Sequence, residues 1–515
     1  MPNFKPDNIH QRTLLDVDFL EVIGTDTFEY CLYALLEREQ MLSAFEVHYK
    51  NDHAGRRAYE PKLLLRVILY GYYRGITSSR TIASLCTTDL KFMSLAGGDT
   101  PHFTTIADFV SSQPEAIADV FHRILLVCDD SGLIGKEHFA IDGCKLPSDA
   151  SKQWSGSHKD MRRKINKLHK MAKDIVEKHQ NNDSQKTPLP EKEQQTVETL
   201  LKNAKKYEDF LAENEPRVGT GKSTKEVKSN VTDNESAKMK TSKGTLQGFN
   251  AVTAADEKCQ VIIGAQAFGQ GPEQSTLTTI IESIEENLAI DLGKCDTVVT
   301  ADTGFSSEET MKYVFERGID AVIPDNNFRK RKEEIAESET YKRHKELHKK
   351  NRHDRAKKAR QIPANEFKVD LVAKICICPA GKQMNCHGDH YEGSRGTYTR
   401  FRGKLTDCRN CSMSDRCMNK PVKGKGRQVQ FLNEGQQKTN YTDLMKEKID
   451  SEQGAEIYSK RMWTIEPVFG NITSNKRLSG FSLRGKEKVS GQWRLCCLVH
   501  NIEKLRRYGP QVAVA

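Results

Sequence analysis

The sequence lacks any run of about 18 consecutive apolar residues, which argues against a membrane-spanning helix. Its first residues also lack the apolar core of a signal peptide, so we expect a cytoplasmic protein. Because the cytoplasm is reducing, the 14 cysteines need an explanation other than a disulfide framework.

The chain is long and highly charged. Its 515 residues exceed what one hydrophobic core normally serves, so we expect three or four units. Of these residues, 37% are hydrophobic and 29% are charged, and the net charge is +10. Lysine and arginine cluster at 328–360, at 420–427 and in the C-terminal tail. Such clusters are typical of solvated surfaces and also of nucleic-acid-binding surfaces, and both interpretations stay open here.

The N-terminal part has a helical pattern from about Leu32 to Val127. Leu64, Ile68 and Tyr72 fall at helical spacing, and shorter helices are predicted to follow. Short helices joined by turns are typical of a helix-turn-helix unit, although a helical bundle without DNA contacts fits equally well.

Three acids stand at the ends of predicted elements. Asp142 and Asp302 each follow a run of buried-strand type and precede a glycine-containing turn. Glu466 precedes Pro467, and since proline is favoured at the first helical position, Glu466 is predicted to open a helix. Between the two aspartates, a seam of apolar residues over 159–213 predicts an antiparallel helical hairpin.

These carboxylates predict a metal site. Loops at the carboxyl ends of strands are where α/β sheets place reactive groups, and hard oxygen ligands suit Mg²⁺ or Mn²⁺. Two such ions could serve an in-line displacement at a phosphodiester. Spacing alone is weak evidence, because an aspartate at a strand end is more often a turn or capping residue.

The cysteines cluster between the second and third acids. Cys376, Cys378 and Cys386 precede a CxxC pair and one further cysteine. Four thiolates of this set could hold a structural Zn²⁺ tetrahedrally, and the favoured ligands are Cys378, Cys408, Cys411 and Cys417. A metal-free, reduced cysteine-rich loop is the alternative.

As whole motifs, several segments resemble the DDE transposases of bacterial insertion sequences. The similar segments run, with gaps, from about residue 56 to 507: 59–61, 70–72, 75–80, 101–106, 140–145, 299–305, 466–470, 481–485, 488–489, 493–495 and 500–505. The resemblance implies an α/β fold, with a ribonuclease H-like mixed sheet flanked by helices. It implies a helical DNA-binding domain at 1–130, a core formed by 131–325 and 451–515 with the inserted hairpin, and a basic, cysteine-rich insertion at 326–450.

The resemblance also implies roles for individual residues. Asp142, Asp302 and Glu466 would bind two Mg²⁺ or Mn²⁺ ions, and Tyr458 and Arg461 would touch phosphates near the cut. The predicted DNA contacts also include Lys476, Arg484 and Lys488. The sequence departs from the family pattern in two ways. Four residues separate Arg461 from Glu466 where related groups have three, and Thr473 stands where a lysine is expected, which makes Lys476 the candidate substitute.

The implied function is metal-dependent DNA cleavage and strand transfer at terminal inverted repeats. Its partners would be double-stranded DNA, as terminal repeats and as target, and a second copy of the chain in a homodimeric synaptic complex. The protein would be cytoplasmic and associated with the nucleoid. Two alternatives are a catalytically silent DNA-binding zinc-ribbon protein and a simple metal-dependent nuclease of the same fold.

Overall fold

The computed structural model contains two compact units. It describes residues 17–38, 41–47, 49, 57–182, 188–219, 226–242, 244–331, 362–393, 396–418, 424–437 and 439–510. One unit comprises 1–323 with 452–515, and the other comprises 324–451. Most of the basic segment 328–360 and part of 420–427 lie outside the described residues.

The N-terminal part of the first unit is helical, as the sequence predicted. Its helices are α1 (Phe19–Ile23), α2 (Phe28–Leu36), α3 (Ser43–Glu46), α4 (Pro61–Tyr73), α5 (Ser79–Thr88), α6 (Leu90–Leu95), α7 (Phe103–Ser112) and α8 (Pro114–Asp130). Helix α4 begins with proline at its first position, and the Ser78 side chain caps α5 by accepting a hydrogen bond from the Thr81 amide. Leu64 and Ile68 are buried, so the predicted helical spacing does mark the inner face.

A mixed sheet forms the centre of the same unit. Its strands are β1 (His138–Pro147), β4 (Ala237–Thr241), β5 (Gly244–Asp256), β6 (Ile262–Phe268), β7 (Val298–Ala301) and β8 (Ala321–Val322). The order is β4-β5-β1-β7-β8, and β6 also pairs with β5. Strands β1, β7 and β8 are parallel, whereas β5 runs antiparallel to β1, β4 and β6. This confirms the mixed α/β, ribonuclease H-like fold class.

Helices from distant parts of the chain pack against this sheet. They are α11 (Leu277–Leu288), α17 (Glu452–Gly470) and α18 (Lys486–Tyr508), and a five-residue π-helix, Asn471–Asn475, continues α17. Helix α12 (Glu308–Glu316) packs on α11. Helix α18 contacts both β6 and α8, so it joins the sheet to the N-terminal helices. Its Trp493 is fully buried and donates a hydrogen bond to the Val252 carbonyl. Hydrophobic burial along α18 therefore holds sheet and N-terminal helices in one unit.

The inserted helical hairpin is also confirmed. Two long helices, α9 (His158–Asn182) and α10 (Glu191–Glu213), pack on one another. They lie in the sequence between the strands of a short ribbon, β2 (Ser155–Gly156) and β3 (Ser229–Asn230). Their seam buries Met161, Ile165 and Tyr207, and the rest of both helices is largely polar.

Two local predictions were wrong. Strand β1 does not end at Asp142 but continues to Pro147, because β5 pairs with it along the whole stretch. Glu466 does not open a helix; it lies inside α17, as does Pro467. A proline within a helix leaves the carbonyl four residues earlier without its usual donor. Here the Gln260 side-chain amide donates a 2.8 Å hydrogen bond to that carbonyl, on Trp463, so a contact from outside the helix compensates.

The second unit is built on a small antiparallel sheet. Its strands are β9 (Lys368–Asp370), β10 (Ile375–Ile377), β11 (Gln383–Gly393), β12 (Gly396–Arg402) and β13 (Gln428–Gln437). Its helices are α13 (Phe328–Arg331), α14 (Leu405–Arg409), α15 (Ser414–Cys417) and α16 (Tyr441–Asp450). The core contains Cys376, Met384 and Phe401. Among the described helices of the whole chain, none is long and apolar enough to cross a membrane.

Candidate functional site

Two of the predicted acids meet on neighbouring strands. Parallel strands β1 and β7 pair with Ile141 opposite Ala301, so the next residues, Asp142 and Asp302, stand side by side. Asp142 lies within β1, whereas Asp302 directly follows β7 and is the N-cap residue of a 3₁₀ turn over Thr303–Phe305. The register of one strand pair thus brings together two carboxylates that are far apart in the sequence.

Helix α17 places a cation between these carboxylates. The Arg461 guanidinium donates a 2.9 Å hydrogen bond to Asp142 Oδ2, and its other terminal nitrogen lies 3.6 Å from Asp302 Oδ1. Only 7% of the Arg461 side chain is exposed, so little solvent screens these ion pairs. Tyr458, one turn earlier, donates a 3.4 Å hydrogen bond to Asp302 Oδ1.

The electrostatics follow from burial and from this cation. Burial raises the pKa of Asp142; Arg461 and the Gly143 amide oppose the rise, and Asp302 adds to it. Burial also opposes the charge of Arg461, but Asp142, Tyr458 and Asp302 outweigh it and raise the pKa of the guanidinium. The two aspartates therefore keep the Arg461 guanidinium charged, while their own charges repel one another.

A further carboxylate that the sequence did not reveal, Glu273, lies in the loop before α11. Burial raises the pKa of Glu273, Lys145 and Asn250 oppose the rise, and Asp142 and Asp302 add to it. Nothing in the local pattern marks Glu273, because it lies in a loop with no periodicity. The available signals were the glycines that follow the two aspartates, and these become informative only once the fold brings Glu273 against them.

Glu466 is placed differently from the two aspartates. Its side chain is exposed, while the preceding Ile465 is fully buried. Successive helical residues are rotated by about 100° around the helix axis. An acid separated from Arg461 by three residues would stand at position 465, which faces inward. Glu466 is separated from Arg461 by four residues and faces away from that direction. Within the described residues, no group of three or more histidine, cysteine, aspartate or glutamate side chains is arranged to hold a metal ion.

The predicted DNA-contacting residues occupy different surroundings. Lys476 forms a 3.1 Å ion pair with Glu503 and lies 4.1 Å from the centroid of the Tyr73 ring, and 11% of its side chain is exposed. Arg484 forms a 2.8 Å ion pair with Asp149 but stays about half exposed. Lys488, near the start of α18, is exposed.

In the second unit the structure separates the cysteines into groups. The four favoured cysteines line one cavity, together with Met384 and Met413 among others: Cys378, Cys408, Cys411 and Cys417. Main-chain amides donate to three of these sulfurs: Lys382 to Cys378 at 3.3 Å, Met413 to Cys411 at 3.4 Å and Arg427 to Cys408 at 3.5 Å. By contrast, Cys376 is buried in the apolar core and Cys386 is exposed.

Comparison with known proteins identifies two domains. A family model described as "Transposase DDE domain" matches residues 377–506, and one described as "Transposase domain (DUF772)" matches residues 17–112. The first match includes Arg461 and Glu466, and neither match reaches Asp142 or Asp302. No curated protein and no solved structure matches the chain. Together with the helical N-terminal part and the ribonuclease H-like sheet, these two matches support a DDE transposase of an insertion sequence.

Proposed function

We propose that this transposase cuts DNA at the terminal inverted repeats of its element and joins the freed ends to target DNA, using divalent metal ions. The observation that carries the proposal is the pair of aspartates on adjacent parallel strands with the Arg461 guanidinium between them. Structural ion pairs also neutralise buried acids, but this pair lies at the carboxyl end of β7, beside the helix that carries the third predicted acid.

The residues present fit a divalent metal. Asp142 and Asp302 offer hard oxygen ligands. The two carboxylates already hold one cation, the Arg461 guanidinium, between them. Glu466 would complete the set only after α17 turns so that position 466 faces the aspartates. Arg461 would then leave the aspartates and, with Tyr458, face the phosphates of the bound strand.

Two chemical steps can share this site. In the first, water would attack the phosphodiester at the element's end; in the second, the freed 3′ hydroxyl would attack the target. When bound, divalent ions would lower the pKa of the attacking water or hydroxyl and neutralise the negative charge on the leaving oxygen. The chain's own part is to hold the ions with Asp142, Asp302 and Glu466 and to orient the strand with Tyr458 and Arg461.

Double-stranded DNA and a second copy of the chain are the proposed partners. Phosphate neutralisation by lysine and arginine dominates DNA affinity. Lys488 and Arg484 are exposed and therefore open to a phosphate, whereas Lys476 must first leave Glu503. A homodimer would bring both element ends to one synaptic complex.

We also propose that the second unit holds a structural Zn²⁺. Four cysteine side chains line one cavity, and main-chain amides donate hydrogen bonds to three of the sulfurs. Four sulfur ligands are a set that suits structural Zn²⁺. Rotation of the cysteine side chains toward the cavity centre would complete a tetrahedral set.

Labelled element ends, incubated with a plasmid target and Mg²⁺, test the proposal directly. The unaltered chain should give joined product, and Glu466→Gln should abolish cutting while it leaves end binding largely intact. Asp142→Asn should behave likewise, and the exposed Asp296, just before β7, provides the control Asp296→Asn. Cut ends without joining would favour a simple nuclease, binding alone would favour a silent DNA-binding protein, and full strand transfer by Glu466→Gln would contradict the role of Glu466.

A further inference from the structure

We propose that strands β12 and β13 of the second unit contact base edges of duplex DNA with Arg400 and Arg402, and that this contact contributes to the preference for the element's own ends. This inference rests on the proposed function, because it assigns a specificity surface for the same DNA partner. It concerns a different part of the chain, since the DNA contacts proposed above all lie in the first unit.

The register of β12 and β13 gives this ribbon one buried and one outer face. Phe401 points into the core of the second unit, so its neighbours Arg400 and Arg402 project from the opposite, outer face. They lie directly across from Gln430 and Gln428 on β13, respectively. Both glutamines are exposed and both arginines are partly exposed, so the outer face is open to a ligand.

Each glutamine holds the arginine opposite it in the same way, in the amide orientation that satisfies its hydrogen bonding. Gln428 Oε1 accepts from Arg402 Nε at 2.9 Å and from Arg402 Nη2 at 2.6 Å. Gln430 Oε1 accepts from Arg400 Nε at 2.7 Å and from Arg400 Nη2 at 2.5 Å. A guanidinium carries five N–H donors, so the edge formed by Nη1 and Nη2 keeps two parallel donors for a ligand.

An aromatic ring orients one of the two guanidinium groups further. Arg400 Cζ lies 3.7 Å from the centroid of the Tyr391 ring on β11. The ring fits there because the β11–β12 register is irregular on both sides of Gly388, which has a φ of 145° and whose Cβ would lie 2.8 Å from a ring carbon. A ring stacked on the flat face of a guanidinium leaves the donors at its edges available.

The charge of this segment favours a polyanionic partner. Among the residues that the structure describes, neither Arg400 nor Arg402 forms an ion pair with a carboxylate. Over 362–440 the sequence holds 14 lysine and arginine residues against seven aspartate and glutamate residues. Positive charge that the chain itself does not neutralise attracts the phosphates of DNA.

The residue types on the outer face favour base edges over phosphates alone. Arginine donates in bidentate fashion to guanine O6 and N7, and the amides of glutamine and asparagine pair with adenine. Asn385, exposed on β11 opposite Arg402, adds a third amide to the two glutamines. Lysine, whose flexible ammonium group serves phosphates well, is absent from the described residues of β12 and β13.

The dimensions of the ribbon match a DNA groove. Strand β13 lies at the edge of its sheet, and the major groove, about 12 Å wide, admits two paired strands. Side chains two positions apart on one strand are separated by about 6.8 Å. This equals two base-pair steps of about 3.4 Å, so Arg400 and Arg402 can reach base pairs two steps apart.

Competition binding to the full-length chain tests the proposal. A fluorescently labelled duplex of the element's end is displaced by the same unlabelled duplex or by a scrambled duplex of equal length and composition, and the ratio of the two affinities measures preference. Arg400→Lys and Arg402→Lys keep the positive charge but lose the planar fork. Each should lower the preference about tenfold and leave the salt dependence of binding unchanged.

The matched control is Arg416→Lys on α15, an exposed arginine of the same unit outside this face. It should keep the preference of the unaltered chain. Gln430→Met leaves the charge of Arg400 in place and removes its acceptor, so the preference should fall by a smaller factor. Circular dichroism of each variant checks folding.

The outcomes separate this inference from the proposed function. If the unaltered chain prefers the element's end and both lysine variants keep that preference, the arginines contact phosphates only or stabilise the sheet, and the inference fails while the proposed function stands. A loss of preference that Arg416→Lys shares would also overturn it. If the unaltered chain shows no preference, the inference fails, and the formation of joined product decides the proposed function separately.

Discussion

Arg461 and Asp142 are joined by a 2.9 Å hydrogen bond although 319 positions separate them in the chain. This contact fixes α17 against the centre of the sheet, and the same guanidinium reaches Asp302. One cationic side chain therefore contacts both aspartates that the β1–β7 register brings together.

Replacement of Arg461 should destabilise the protein and increase its response to metal. Arg461→Met leaves two carboxylates without their cation, and loss of one partner of a buried pair typically costs about 3–5 kcal/mol. Urea unfolding should show this loss without metal and its partial recovery with Mn²⁺, which can then take the place of the guanidinium. Unchanged stability, or no added response to Mn²⁺, would contradict the bridging role, and Arg461→Lys should give an intermediate result.

His500 should make stability depend on pH below neutrality. The ring is fully buried between the Gln260 carbonyl and Asn471, and burial lowers the pKa of His500 from 6.5 to about 4. The unfolded chain therefore takes up a proton below pH 6.5 that the folded chain refuses until about pH 4. Stability from this residue is full above pH 6.5 and is lost as the pH falls toward 4, by at most about 3 kcal/mol.

The measurement compares urea unfolding of the unaltered chain and His500→Gln at pH 7.0 and pH 4.5. The glutamine variant cannot titrate, so its loss of stability between the two pH values should be smaller. Equal losses in both proteins would show that His500 does not carry the effect.

DNA binding should weaken steeply with salt, and two lysines should contribute differently. Lys488→Gln should lower affinity and reduce the slope of log affinity against log salt by about one, because one phosphate contact is lost. Lys476→Gln should mainly lower stability, since Lys476 is paired with Glu503 and packed on Tyr73. Fluorescence anisotropy with labelled element ends at several salt concentrations measures both slopes. An affinity that does not change with salt would argue against Lys488 and the basic residues around it as the DNA-binding surface.

The zinc content of the purified protein should depend on the four cysteines that line the cavity. Purified protein should carry one Zn²⁺ per chain by elemental analysis, and Cys408→Ser should lose it. Cys386→Ser is the matched control, because Cys386 belongs to the same strand-rich unit but is exposed. Equal zinc content in the two variants, or none in the unaltered protein, would favour a metal-free cysteine-rich unit.

Local sequence was enough for much of the fold. Helical spacing of apolar residues predicted the N-terminal helices and the hairpin, because one apolar stripe suffices to define a buried helical face. Buried runs that end near Asp142 and Asp302 predicted strands of one sheet. The choice of Cys378, Cys408, Cys411 and Cys417 over Cys376 and Cys386 agrees with the cavity these four line, whereas metal binding at any of these sites stays a prediction.

Only the tertiary structure decided where the acids stand. Strand β1 continues through Asp142 because β5 pairs with it, and α17 continues through Pro467 because Gln260 supplies a donor from elsewhere in the chain. The sequence by itself predicted most helices and strands, the resemblance to DDE transposases and the two aspartates as candidate metal ligands. It could not indicate Glu273 or the bridging role of Arg461, because both depend on contacts between residues that are far apart in the sequence. Such contacts form only once the strands pair in their native register.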